Sequence, residues 1–296
     1  MRISVRRVSE PGHKCHSGLP VNLKICVLEE RTMNIDLNGK TALVTGSTIG
    51  IGFSIAQRLA KSGAIVYVNG RSEERVTEAV QRLQDSVPGA NVYGIAADLG
   101  TAAGTQTVVK QLKEVDILIN NLGIFEPKPF FEISDSDWQK FFDVNVMSAV
   151  RLSRHFTPKM VKKKWGRVIF IASESAVQIP AEMVHYGMTK TALLAVSRGL
   201  AETVAATGVT VNAVLPGPTK SEGVMTFIEK MTSETKRSFE SIEEEFFKTV
   251  RPTSLIKRFA TPEEVANFVT YIASKEASAT TGAALRVDGG VVKSIL

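Results

Sequence analysis

From Thr41 to Val287, short apolar runs alternate with longer stretches of helical period, and this alternation constrains the fold more than any other feature. Thr41–Thr45, Ala64–Asn69, Asn91–Ala96, Asp116–Ile119, Arg167–Ala172, Val209–Val214 and Ala284–Val287 read as buried strands. Ile51–Ser62, Glu73–Gln84, Asp135–Lys164, His185–Ala206 and Pro262–Ser274 read as helices, and in the first of these Ile55, Ala56 and Leu59 share a side. Lys162-Lys163-Lys164 complements a helix C-terminus, and Gly166 is placed to cap it. Strands that alternate with helices pair in parallel through right-handed crossovers. The expected fold class is therefore α/β: a single-domain, doubly wound parallel sheet with helices on both faces.

Composition narrows the function classes. The chain has 296 residues, 44% hydrophobic and 22% charged, room for one large α/β domain or two small ones. It contains no apolar run near the ~20 residues of a membrane span. The formal charge is +6, but Arg2, Arg6, Arg7, Lys14, Lys24 and Arg31 against Glu10, Glu29 and Glu30 place half of it in the first 33 residues. The near-balanced remainder argues against nucleic-acid binding. Both cysteines, Cys15 and Cys26, lie in the same stretch, so the body has no disulfide framework or thiolate metal site, and no metal is expected. Residues 1–32 show no sustained period and no clear secretory signal, and their three glutamates weigh against a mitochondrial presequence. The expectation is a basic, disordered extension derived from an upstream start codon. A cytoplasmic domain then occupies 33–296, beginning at Met33-Asn-Ile-Asp-Leu-Asn-Gly-Lys.

Between the first strand and the first helix stands T-G-S-T-I-G-I-G, residues 45–52. That placement aims backbone N–H groups at a pyrophosphate. Gly46 permits the turn, while Gly50 and Gly52 permit close approach of phosphate and close helix–strand packing. Ser47, Thr48, Ile49 and Ile51 complete the loop. Much further on, Tyr186 follows Ser173 by thirteen residues and precedes Lys190 by four. A phenol titrates near 10 and is a poor base at neutral pH. One helical turn from Tyr186, the Lys190 ammonium is expected to stabilise phenolate and lower that value.

The loop spacing G-x-x-x-G-x-G, Asn120-Asn121-Leu122-Gly123, Asn145, Ser173, Tyr186 with Lys190, Pro216-Gly217 and Val287-Asp288-Gly289-Gly290 occur in order. Together they resemble the short-chain dehydrogenase/reductase family, from about Asn34 to Val292, with Leu122 where that family usually has Ala. The resemblance implies a Rossmann-like fold that binds NAD or NADP. It implies that Tyr186 exchanges a proton with a carbonyl or alcohol while hydride moves, and that Lys190 also binds the nicotinamide ribose. Ser173 would hydrogen-bond the substrate oxygen, and Asn145 would hold a water of the proton relay. Asp98 and Leu99 resemble the adenine-contacting pair. Asn120, Leu122, Gly123, Pro216, Gly217, Thr219 and Ser221 would also line the cofactor.

Cofactor choice follows from Val68-Asn69-Gly70-Arg71: no carboxylate ends the second strand, and Arg71 is there for a 2′-phosphate, so NADP is expected over NAD. Residues 218–252 would form a substrate lid. Val224, Phe227, Ile228 and Met231 suggest one amphipathic helix there, and Ile242, Phe246, Phe247 and Val250 a second, with Glu243–Glu245 on a solvated face. His155 and His185 lack metal-like partners, and His185 is expected at a surface or pocket rim. A homotetramer, or failing that a dimer, is expected from the apolar run Thr191–Val196. The expected activity is NADP-linked interconversion of a small-molecule carbonyl and a secondary alcohol. The alternatives are an NAD-linked sugar, steroid or alcohol dehydrogenase and a catalytically silent dinucleotide-binding regulator.

Overall fold

The computed structural model describes residues 35–222, 224–225 and 238–295. The extension at 1–32 and most of the first lid helix, including Phe227, Ile228 and Met231, lie outside these. Seven strands form one sheet: β1 (Thr41–Val44), β2 (Ile65–Gly70), β3 (Val92–Ala96), β4 (Ile117–Asn120), β5 (Gly166–Ile171), β6 (Val209–Pro216) and β7 (Ala284–Val287). Their order is β3-β2-β1-β4-β5-β6-β7, and every pair is parallel. The expected doubly wound sheet is therefore found. In register, Val44 of β1 faces Val68 of β2 on one side and Ile119 of β4 on the other. The central strands are buried throughout, as sheets covered on both faces require.

The two faces carry separate cores. On one, Val44, Val66, Val68, Ile119 and Val214 pack against α1 (Gly50–Lys61), α2 (Glu73–Ser86) and α8 (Pro262–Ile272) through Ile55, Leu59, Leu83, Val265 and Val269. On the other, Leu43, Leu118, Val168, Phe170 and Val211 meet α3 (Ala102–Gln111), α5 (Ser148–Lys163) and α6 (Val184–Thr203) through Val108, Leu152, Phe156 and Leu193. Most of these helices start on a hydroxyl. Ser72, Thr101, Ser134, Ser238 and Thr261 cap α2, α3, α4 (Asp135–Phe142), α7 (Phe239–Thr249) and α8, the third and fifth with complete capping boxes. No helix among the described residues is long and apolar enough to cross a membrane.

Three elements differ from expectation. Helix α3 was not foreseen: it is short, holds Gly104 and two threonines, and buries only Gly104, Thr105 and Val108. Its Thr101 cap was the available signal. The stretch 135–163 is helical throughout, as expected, but not uniformly α. It is α4, a π-helical turn at Asp143–Met147, and α5. The C-terminus of α5 is capped by Lys164 in the left-handed conformation (φ 54°), whose N–H returns to Met160 and Val161. Gly166 instead opens β5, where a Cβ would lie 2.5 Å from the Met160 Cβ.

Phe156 is fully buried in the second core. Phe156→Ala should lower unfolding free energy by ~3–5 kcal/mol, seen as a lower urea midpoint with unchanged slope. A change under ~1 kcal/mol would show that this core is not rigidly packed.

Candidate active site

β1 and β4 are neighbours, yet the chain leaves β1 toward β2 and β4 toward β5. In open parallel sheets a crevice forms at the carboxyl ends of such strands. The loop after β1 enters that crevice. Gly46 and Gly50 adopt left-handed φ of 58° and 61°. At Gly52 a Cβ would sit 2.5 Å from both the Asn121 amide nitrogen and the Gly46 carbonyl, so only hydrogen fits.

Buried polar side chains fix this loop from beneath. Ser47 Oγ donates to the Val44 carbonyl (2.6 Å) and accepts the Asn69 N–H (3.0 Å). Asn69 in turn donates to the carbonyls of Ile95 and Ala97 and accepts from Gly46 N–H. Thr45 Oγ1 accepts the N–H groups of Asn121 and Leu122, both at 2.9 Å. Asn121 Nδ2 donates to the carbonyls of Thr45 and Gly46, also at 2.9 Å. The ends of β1, β2, β3 and β4 are thereby joined. Ser47 is thus core-facing, and its own N–H is taken by the Asn69 carbonyl at 2.9 Å.

Helix α1 lacks the hydroxyl cap of α2, α3, α4, α7 and α8. Its N-cap Ile49 makes no side-chain bond, and its first turn holds no acidic residue. Its first N–H groups and the positive end of its dipole are directed at whatever enters the crevice. Ser221 lies beside Gly50, with 3.4 Å between the Ser221 Cβ and a Cβ placed there. Thr219 Oγ1 donates to the Gly217 carbonyl, and Gly217 N–H to Val287, which anchors Pro216–Thr219 to β7. Thr48 stands against Gly70, and exposed Arg71 follows it. Asp98 is exposed and turns its carboxylate onto Gly100 N–H, whereas Leu99 is core. Asn120 is buried and donates to Ser153.

The remaining candidates meet beyond the ends of β4 and β5. Asn145, in the π-helical turn, donates to the Ile124 carbonyl (3.0 Å) and Thr189 Oγ1 (2.9 Å) and accepts Ile124 N–H (2.8 Å). Thr189 closes onto the Tyr186 carbonyl at 2.7 Å. Lys190 Nζ donates to the Ile171 carbonyl (2.9 Å), lies 5.7 Å from the Tyr186 ring centre, and approaches Gly123. Ser173 follows β5, and its side chain acts on the Tyr186 phenol.

The electrostatics reverse one expectation. Burial pushes the Tyr186 phenol up to about 12, the Glu174 charge adds to this, and Ser173 and Arg251 oppose it. Burial likewise pushes Lys190 down to about 8. The lysine does not lower the phenol here because its ammonium is directed at Ile171 and desolvation outweighs the attraction.

Sequence reasoning missed the acid beside Ser173. Glu174 is buried. It accepts from Ser173 Oγ (2.7 Å), from Ser175 Oγ, and from Arg251 Nε (2.8 Å). Arg251 also reaches Glu182 at 3.2 Å. His185 is not at a rim. It is sealed against Phe141 and Trp138, ring centres 4.0 and 6.0 Å away, and neither nitrogen has a protein partner. In α7, Ile242 and Phe247 are buried against Phe259, and Glu243 accepts Phe259 N–H rather than facing solvent alone. Phe125, half exposed, stands edge-on to Tyr186 at 6.3 Å. Among the described residues no group of His, Cys, Asp and Glu is placed to hold a metal ion.

Comparison with known proteins agrees with this geometry. Residues 46–292 match the family model described as enoyl-(acyl carrier protein) reductase. An uncharacterized oxidoreductase of Bacillus subtilis, YvaG, is 50% identical over 263 residues, covering 89% of this chain and all of the relative. The 3-oxoacyl-[acyl-carrier-protein] reductase of Aquifex aeolicus is 34% identical, covering 88% of this chain and all of its own. Among solved structures, L-sorbose reductase from Gluconobacter frateurii, complexed with NADPH and L-sorbose, superposes with a TM-score of 0.84 at 33% identity, covering 89% of this chain and all of that one. With the crevice, the uncapped α1 and the Ser173–Tyr186–Lys190 cluster in place, the chain belongs to the short-chain dehydrogenase/reductase family, oxidoreductases acting on CH–OH and C=O groups.

Proposed function

We propose that this protein is an NADP-preferring oxidoreductase that interconverts a carbonyl and a secondary alcohol, with Tyr186 as general acid and base. The observation that carries the proposal is half-buried Tyr186, its phenol beside Ser173 and one turn from Lys190, in the crevice that α1 enters uncapped. The chain fits a dinucleotide: donors free at the α1 N-terminus, no side chain possible at Gly52, and exposed Arg71 where a 2′-phosphate would lie. Gly46–Gly52, Thr219 and Ser221 would hold the pyrophosphate, Arg71 the 2′-phosphate, and Asp98 with Leu99 the adenine. Asn120, Leu122, Gly123, Pro216 and Gly217 would line the rest, with Tyr186 and Lys190 at the ribose. A bound nicotinamide supplies the hydride. Tyr186, held as the neutral phenol at physiological pH, gives its proton to the substrate oxygen, and Ser173 orients that oxygen. Lys190 and Asn145 lead the replacement proton inward, through a water held at Asn145. The segment 218–252 acts as the lid, and Phe125 gives the site an apolar wall that favours a substrate with hydrophobic bulk.

A panel of ketones, diketones, 3-oxoacyl thioesters and sugars, followed by NADPH absorbance, tests the activity. Absence of turnover across all four classes would overturn it.

Cofactor preference rests on Arg71. Arg71→Ala should weaken NADPH binding by ~10–100-fold, the worth of one charge-assisted bond, and leave NADH unchanged, measured by fluorescence titration. Gly70→Asp is a poor probe because a Cβ there would meet Thr48 Cγ2 at 2.6 Å. If the wild type binds NADH as tightly as NADPH, the assignment of Arg71 fails.

Proton transfer separates the two residues of α6. Tyr186→Phe should lower turnover ~10²–10⁴-fold with NADPH affinity intact. Lys190→Ala should lower both. Equal loss of cofactor affinity in the two variants would make Tyr186 a structural residue.

We propose also that the chain self-associates through the outer faces of α5 and α6, where Ala192, Leu194, Ala195 and Val196 remain incompletely buried. Light scattering should give a tetramer, or a dimer, at micromolar concentration. A monomer mass there would refute this.

A further inference from the structure

The surface around half-buried Tyr186 is apolar. Phe125 stands edge-on to the Tyr186 ring at 6.3 Å and is half exposed. Ile179, also part exposed, covers Gly187, the residue after Tyr186, where a Cβ would meet the Ile179 Cγ2 at 2.8 Å. Phe130 and Phe131, the latter 98% exposed, follow Phe125 in one loop. That loop is tied to the turn before α6 by the Lys128 N–H, which donates to the Glu182 carbonyl at 2.9 Å. Large apolar side chains left exposed as a group mark a surface that receives something apolar.

The charges in the same segments are one-sided. Lys128 is bonded to Asp137 at 2.7 Å and also lies in the field of Glu126 and Glu132, three acids to one base. Arg251 is bonded to Glu174 at 2.8 Å and to Glu182 at 3.2 Å, two acids to one base. Among the described residues at 125–132, 174–183 and 250–251, Lys128 and Arg251 are the bases, and both are already paired. Lys190 turns its ammonium onto the Ile171 carbonyl. Glu126, Glu132 and Glu182 are exposed. A chain of formal charge +6 thus presents surplus negative charge beside Tyr186.

We infer that the site takes an uncharged carbonyl compound with an apolar body and turns away anionic ones. Phe125 supplies the apolar contact, and Glu126 and Glu182 set the charge selection. This deepens the oxidoreductase reading proposed above and rests on it. An anion approaching Tyr186 meets surplus carboxylates and no unpaired guanidinium or ammonium in these segments, whereas a neutral ketone meets only the aromatic wall. A sugar gains little from that wall. Ketones and diketones should therefore stand above sugars in the substrate panel, and above thioesters borne on phosphate-rich carriers.

Methyl 4-acetylbenzoate and 4-acetylbenzoate share shape and ketone and differ in charge. With NADPH saturating and low ionic strength, kcat/KM for the ester should exceed that for the carboxylate ~10-fold, and added salt should narrow the gap. Glu126→Lys moves two charges at an exposed position. It should narrow the gap ~5-fold and change the ester rate less than ~2-fold. Phe125→Ala should cost the ester ~10-fold. Saturation-transfer NMR of the two compounds on the same protein reads the preference as binding, without turnover. The inference is overturned if the ester does not bind, if the carboxylate is bound or reduced as well as the ester, or if Glu126→Lys leaves the gap unmoved. An ester bound in preference but never reduced, with NADPH unconsumed across the panel, would instead overturn the oxidoreductase proposal.

Discussion

The site depends on satisfying buried polar groups where four parallel strands stop. A strand end inside a sheet exposes backbone groups that water cannot reach, and each left unpaired is costly. Here Thr45, Ser47, Asn69 and Asn121 answer that need with short side chains that cross from one strand end to the next. Their bonds hold the glycine loop in one shape. The close approach at Gly52 leaves little slack, because the Asn121 amide and the Gly46 carbonyl already occupy the space a side chain would need. The stiffness of the crevice is thus a property of the sheet and not of the loop alone.

On the other side of the crevice, desolvation sets the chemistry. Burial favours the uncharged forms of both Tyr186 and Lys190, spreading two ordinarily similar proton affinities, near 10.0 and 10.5, to about 12 and about 8 rather than joining the residues as an ion pair. The Glu174–Arg251 pair is the exception, a buried charge pair retained two side chains from the phenol. Such pairs seldom stabilise a fold more than apolar packing would. It lies beside Ser173, where the two charges act on the Tyr186 phenol in opposite senses.

The sheet was legible in the sequence because strands buried on both faces appear as unbroken apolar runs, as β5 and β6 do. The glycine loop was legible because it stands between such a run and a helix. Helix α3 escaped because its few apolar residues make no clear stripe. The π-helical turn at 143–147 escaped because its period is too near that of an α-helix to mark the sequence, and Lys164 because a left-handed lysine has no compositional signature. Glu174 and Arg251 are 77 positions apart, and neither residue alone announces the other. Ser47 and Leu99 fall in the expected loops but turn their side chains into the core, which a loop motif cannot tell.

The sealing of His185 has a further meaning. Its imidazole has no exposed surface, and burial holds its proton affinity below the ordinary value near 6.5 against the partial opposition of Asp137 and Glu126. The folded chain thus binds fewer protons at this position than the unfolded chain does, and stability falls as pH drops through that value and below. The residue is the immediate neighbour of Tyr186 on α6. Acidification therefore loads its cost onto the first turn of the helix that carries the proton donor. Mild acid therefore weakens the turn beside the site.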